Sequence, residues 1–411
     1  MARGRALSGD GQNEAENGIR NTTLVRKVFL LGSNQMPLHD LQGKMVLELS
    51  GSAYEMGREH GRLLKDLVHV AVHDYLRKSL QIFEVPYEYV LKKARFCERF
   101  IPEPYIEEMR GIADGSGISY EEVLSLNCLI DIDNVYSYNY IQCCSFVLHP
   151  CALRGAATIH GRNLDFPHHG VIPKTAVVIV RTPDDTSLLP TCAITWAGFV
   201  GMLTGSNSAL LTASEVSSPA DDNSLEGVPI AFLMRRLLEV SDSLEGCAEF
   251  LKAAPRTCGY NLAVCDGKTD ESKCFEITHK TLKTRRGRKG ALVVDTVRLC
   301  NHRDVSMLTW PGGAFHHARL VQLIGDNYGQ IDIEKAREFL QDRFDPALGR
   351  EGGNLFHRLC NEHTVQSVLF LPTENRFLVS HGTVPSPNGD YTEILPAKFW
   401  DSSRVLANCE L

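Results

Sequence analysis

Apolar positions recur at helical spacing through the first third of the chain and give way to strand-like runs from residue 141 onward. Lys44–Leu49 reads as a short apolar strand. From Tyr54 the apolar and long side chains continue at helical spacing through Leu63, Leu64, Leu67, Val70 and Val72. That spacing predicts an amphipathic scaffold helix over the whole of 54–91. Pro102 and Pro104 punctuate the chain before a second helix from about Tyr105, which stops at Gly115-Ser116-Gly117. Ser119 with Glu122 has the Ser-x-x-Glu form of a capping box and opens a third helix.

Strands are expected at 144–148, 156–162, 176–181, 191–196, 209–214, 260–265, 273–278 and 292–295, many β-branched and ending at Gly, Pro, Asn or Asp. Helices interleave at 229–240 and 244–253, and a second helical block covers 315–323 and 333–341. The chain returns to strands at 364–370 and 376–380 across the polar turn Pro372–Asn375. Helices followed by a strand-rich body with helices threaded through it indicate a layered, mixed α/β architecture. The basic run Lys283–Lys289 lies between two strands and reads as a solvated hairpin loop.

Composition narrows the field. With 43% hydrophobic and 23% charged residues the chain resembles an ordinary globular protein, so disorder is not the default beyond the polar start. A net charge of −7 excludes a basic nucleic-acid footprint. No apolar run is long enough to span a bilayer, so no integral membrane association is expected. Thirteen scattered cysteines and no export signal read as free thiols, which suggests a cytoplasmic protein. The paired histidines His168-His169 and His316-His317 lack the i, i+4 spacing of a helical zinc site. Cys258 and Cys265 form no Cys-x-x-Cys pair. No metal, nucleotide or other cofactor is expected.

The informative stretch is Cys143-Cys144-Ser145-Phe146-Val147, followed after a loop by Gly161-Arg162-Asn163-Leu164-Asp165-Phe166. Paired as a hairpin, these strands bring Arg162 and Asp165 back beside the first, and a cysteine needs such neighbours to become a good nucleophile. A buried free cysteine is more often inert packing, so the case rests on the order of further segments.

Those segments resemble the acyl-coenzyme A:isopenicillin N acyltransferase family, cysteine peptidase-type members of the N-terminal-nucleophile (Ntn) hydrolases. The likeness runs from about Leu47 to His381. Tyr54-Glu55-Met56-Gly57-Arg58-Glu59-His60-Gly61 and Glu107-Glu108-Met109-Arg110-Gly111-Ile112-Ala113 look like the family's two helical motifs. Cys144-Ser145 stands where the family has Cys-Thr or Cys-Ser, and Gly161–Phe166 matches its Gly-x-Asn-x-Asp-Phe. Cys300-Asn301-His302 and His357-Arg358 resemble two later segments.

The resemblance implies a four-layer αββα sandwich with an N-terminal helical segment. It divides the chain into a disordered tail over 1–40, a helical portion over 41–143 that becomes the small chain, and an Ntn body over 144–411. It also implies self-cleavage between Cys143 and Cys144 by an N-to-S acyl shift, leaving Cys144 with a free α-amine. Such an amine titrates at roughly 7.7–8.0 and can act as base near neutrality. Asp165 would orient that amine and Arg162 would lie near the thiolate. Asn301 would stabilise the oxyanion, Arg358 would complete the charged network, and Ser214 and Phe166 would line the pocket. The activity implied is cleavage of a small-molecule N-acyl or aminoacyl amide, or transfer of its acyl group to an amine. The active form would be a heterodimer of the two processed chains. Two residues depart from the pattern: Cys143 stands where the family has glycine, and Ser214 where it has asparagine. The first leaves open Cys143 as nucleophile, and an unprocessed binding or scaffold protein.

Overall fold

The computed structural model describes residues 37–136, 143–155, 157–218, 220–286, 291–295 and 311–400. The chain enters through β1 (Leu38–Leu41) and β2 (Lys44–Gly51), an antiparallel hairpin. Gln42 and Gly43 turn it with φ of 53° and 92°, the left-handed pair that a two-residue hairpin loop requires. Strand β1 therefore begins inside the stretch expected as a tail over 1–40; residues 1–36 lie outside the described residues.

The single helix expected over 54–91 is divided. It comprises α1 (Ala53–Leu63), α2 (Lys65–His69), a π-helical stretch over Val70–Leu76, α3 (Arg77–Ile82) and α4 (Tyr87–Glu98). The reason lies in the period. Leu64, Val68, Val72 and Leu76 are all buried and recur every fourth residue, whereas an α-helix turns every 3.6. Wider π turns keep that row facing the core. Helix α5 (Glu103–Ser116) ends on Gly117, whose φ of 76° gives the expected left-handed stop. Before α6 (Tyr120–Tyr136), Ser119 and Glu122 form the expected capping box: the Glu122 amide donates to Ser119 Oγ at 3.3 Å, and Ser119 Oγ donates to Glu122 Oε2 at 2.7 Å.

Strands β3 (Cys143–Leu148), β4 (Ile159–Asp165), β5 (Ala176–Pro183), β6 (Thr191–Trp196), β7 (Thr204–Asn207) and β8 (Leu211–Ser217) follow. Then come α7 (Ile230–Val240), α8 (Leu244–Ala253), β9 (Tyr260–Asp266), β10 (Glu271–Ile277), β11 (Leu282–Arg286) and β12 (Ala291–Asp295). The last part holds α9 (Pro311–Asp326), α10 (Ile333–Leu340), the small hairpin β13 (Phe344–Asp345) and β14 (Arg350–Glu351), β15 (Thr364–Leu371), β16 (Arg376–His381) and β17 (Asp390–Ile394). The basic run expected as a loop starts as strand β11, the edge of its sheet. Lys and Arg on an edge strand discourage further pairing.

Two large sheets result. One runs β1-β2-β5-β6-β7-β8-β9-β10-β11 and the other β12-β3-β4-β15-β16-β17. Neighbours are antiparallel except β2 and β5. The sheets face each other across Val46, Val178, Val180 and Ile194 on one side and Val368, Phe370, Phe377 and Val379 on the other. The N-terminal helices with α7 and α8 cover the outer face of the first sheet. Helices α9 and α10 cover the outer face of the second, against Phe146, Leu148 and Leu369. This is the αββα sandwich that the resemblance implied.

The two helical motifs have a packing explanation. A Cβ on Gly57 would stand 2.0 Å from the Glu108 carbonyl oxygen, and one on Gly111 2.3 Å from that of Tyr54. Helices α1 and α5 thus cross with their backbones in contact, which only glycine allows.

Candidate active site

The site grows from the β3–β4 ladder. Cys143 pairs with Leu164, Cys144 with Asn163 and Ser145 with Arg162. Side chains alternate across a strand, so directly opposed residues share a face. Cys143, Ser145 and Arg162 therefore point between the sheets, while Cys144, Asn163 and Asp165 point toward α9 and α10. Core packing follows the same division: Cys143 belongs with the inner core, and Cys144 with Phe146, Phe339 and Leu340 in the outer one. Both thiols are buried, each 1% exposed.

Arg162 is fully buried. Its Nε donates to Thr204 Oγ1 at 2.7 Å, and one terminal nitrogen lies 3.7 Å from Glu215 Oε2. Neither terminal nitrogen has a hydrogen-bond partner among the described residues. The guanidinium thus offers free donors and positive charge in the layer that holds the Cys143 thiol. Burial pushes that thiol up to about 12, and the Arg162 charge opposes the shift. The Asp165 backbone also favours the Cys143 thiolate; a group that does so must donate, so it is the amide N–H. Cys144 is pushed well up by burial and then by the Asp165 carboxylate, with Arg162 a smaller opposing influence. Of the two cysteines, Cys143 has the more electropositive surroundings.

Asp165 is held from the far end of the chain. Asn361 Nδ2 and Thr364 Oγ1 each donate to its carboxylate at 2.6 Å. Burial nonetheless raises its pKa to about 7. Glu215, unremarked in the sequence, is also buried and raised to about 7, with Ser217 Oγ donating to it at 3.0 Å. A lone acidic residue inside the buried strand Leu211–Ser217 was the signal for it.

The remaining expected residues fall as follows. Ser214 lies behind the site, its Oγ 2.9 Å from both Ser145 Oγ and His160 Nε2, with His160 Nδ1 2.8 Å from Thr212 Oγ1. Burial keeps that histidine neutral, down to about 3. Arg358 extends to Glu362, 2.7 Å from Oε2. Asn301 lies outside the described residues. Phe166 packs between Tyr75 and Trp196 with tilted rings, at centroid distances of 6.0 and 5.1 Å. It closes one wall of an apolar cavity of about 370 Å³ whose other walls include Tyr75, Leu80, Val90, Leu129 and Ile132. Among the described residues no group of three or more His, Cys, Asp or Glu is placed to hold a metal ion. No helix of theirs is long and apolar enough to cross a membrane.

Comparisons with known proteins find relatives in sequence and in structure. An uncharacterised protein of Archaeoglobus fulgidus is 25% identical over 358 residues, covering 75% of this chain and 60% of its own. The N-acylethanolamine-hydrolyzing acid amidase of Oryctolagus cuniculus is 27% identical over 175 residues, 40% of this chain and 45% of that protein. The chain thus spans less than two thirds of either relative. Among solved structures, a Caenorhabditis elegans orthologue of the same amidase aligns with a TM-score of 0.40 and 15% identity, covering 56% of this chain and 93% of the other. The family description "Acyl-coenzyme A:6-aminopenicillanic acid acyl-transferase" matches residues 153–375, a stretch that begins downstream of the cysteine pair. With more than half of its length inside that match, the chain belongs to this acyl-transferase family of Ntn hydrolases.

Proposed function

We propose that this chain is a cysteine Ntn hydrolase that first cleaves itself and then a linear amide, through an acyl-cysteine intermediate. The observation that carries the reading is the β3–β4 ladder, which sets a cysteine pair at a strand start beside a buried cation and a buried carboxyl. In the first step the thiol sulfur bonds to the preceding carbonyl carbon. The C–N bond breaks, and the thiol proton passes to the departing nitrogen. Water then hydrolyses the thioester, releasing a carboxylic acid and restoring the thiol. The freed α-amine serves as base for the substrate reaction, which repeats the same bond changes on an external amide. Acyl transfer differs only in that an amine replaces water. The apolar cavity beside Phe166 suits a hydrophobic acyl group as the part recognised.

The resemblance assigns the nucleophile to Cys144. The pleat favours a second reading, in which it is Cys143. Its thiol shares a face with the terminal guanidinium nitrogens of Arg162, which have no hydrogen-bond partner among the described residues, and Leu164, opposite it, leads directly to Asp165. The α-amine freed by cleavage before Cys143 would lie beside that aspartate.

Intact-mass measurement and N-terminal sequencing of the purified protein test both points. Two chains are expected, the larger beginning at Cys143, or at Cys144 on the first reading. Cys143→Ala should leave the chain whole on the second reading, and Cys144→Ala on the first. A wild-type chain that stays at 45.7 kDa through storage would overturn the reading and favour a binding role.

A further inference from the structure

His316 lies on α9, the helix that packs on β3 and β12. Its ring is fully buried, and neither nitrogen has a well-aligned hydrogen-bond partner among the described residues. Among the described residues the backbones of Cys143 and Arg358 approach it and favour the protonated ring, and the His357 side chain opposes them. The two backbone groups must be acceptors, so they are carbonyls. The last described pair between β3 and β12 joins Cys144 to Asp295, so His316 reaches Cys143 just past the described end of that ladder. Burial holds the ring neutral, down to about 4. A neutral imidazole has a single N–H and can hold one of the two carbonyls at a time.

We infer that His316 is a positioning residue for self-cleavage, holding the Cys143 carbonyl and through it the angle at which the Cys143 thiol meets the preceding peptide bond. The inference rests on the reading of Cys143 as nucleophile. Three groups then bear on that one residue: Arg162 and the Asp165 amide on the thiol, and His316 on the carbonyl. No group is transferred to or from the ring, which differs from a general base in needing only its N–H.

The test follows conversion of the full chain, made by cell-free synthesis, into two chains by intact mass. His316→Leu fills similar space without a donor and should convert about tenfold more slowly, the rate equivalent of one hydrogen bond. His316→Asn and His316→Gln place an amide N–H near the positions of Nδ1 and Nε2 respectively. One of them should recover most of the wild-type rate, which a purely packing role would not produce. Melting temperatures separate a folding defect from a positioning one. Should the leucine variant fail to fold, the amide pair alone decides. Wild-type conversion by His316→Leu overturns the inference and leaves the proposed function standing. So does slow conversion by both amide variants at preserved melting temperature. A larger chain beginning at Cys144 overturns the assignment on which the inference rests, and a wild-type chain that stays whole overturns both.

Discussion

At the scale of single residues, adjacent cysteines in one strand occupy different chemical environments because the pleat sends them to opposite faces. Cys143 shares its layer with Arg162, whereas Cys144 lies against the helices on the side of Asp165. The same burial governs Asp165. Its pKa rises from 3.8 to about 7 on folding, so between those values the folded chain keeps a proton that the unfolded chain has released. The stability contribution is therefore fully present below about 3.8, declines as pH rises and levels off above about 7. An Asp165→Asn variant cannot titrate there. Compared in a background with Cys143 and Cys144 both changed to Ala, so that the chain stays whole, it should gain melting temperature relative to its Asp165 parent from pH 4 to pH 7. A difference that stays constant with pH would refute the shift. The candidates Cys144, Arg162 and Asp165 were legible because they lie in two short motifs joined by one hairpin. Asn361, Thr364 and Glu215 were not, since strand pairing over long separations brings them to the site.

At the scale of elements, glycine placement carries more information than hydrophobicity. The α1–α5 crossing is set by Gly57 and Gly111, where any side chain meets backbone. Gly111→Ala should cost about 1–3 kcal/mol by overpacking. By contrast, Gly325→Ala on α9, where an added Cβ meets nothing within 4 Å, should gain up to about 1 kcal/mol from helix propensity. Urea unfolding of both variants checks the pair of opposite signs. Most element types were readable from period and punctuation: 191–196 and 244–253 coincide with β6 and α8. Other elements escaped for physical reasons. Strand β7 has the polar sequence Thr-Gly-Ser-Asn, and its long-range partners hold it: its sheet neighbours, Arg162 on Thr204, and the Leu238 and Ser241 carbonyls on Asn207. The π-helical stretch follows a fourfold apolar spacing that resembles an ordinary helix until its burial is seen.

At the scale of the whole molecule, the portion before the cysteine pair is locked into the body by buried charge. Glu108 accepts from Arg181 Nε at 2.9 Å and from Arg235 at 2.6 Å, and all three side chains are at most 2% exposed. Asp131 accepts from the Ile230 amide at 3.0 Å, and the Gly198 amide donates to His60 Nε2 at 3.0 Å. Cleavage at the cysteine pair would therefore leave two chains still joined, eluting as one species in size-exclusion chromatography. Removing Glu108 leaves the buried Arg181 without its carboxylate and Arg235 with Glu239 alone, so Glu108→Ala should cost about 3–5 kcal/mol and lower the urea midpoint of the processed pair. The sequence by itself determined the mixed α/β class, the order of the helical and strand-rich parts and the motifs around the cysteine pair, because these follow from local period, turn chemistry and short spacings. Only the tertiary structure decided which thiol faces the arginine, what holds Asp165 and where His316 reaches the strand. Those depend on the register of strands and on a helix packed across them, which bring together residues up to 199 positions apart through contacts that no local pattern encodes.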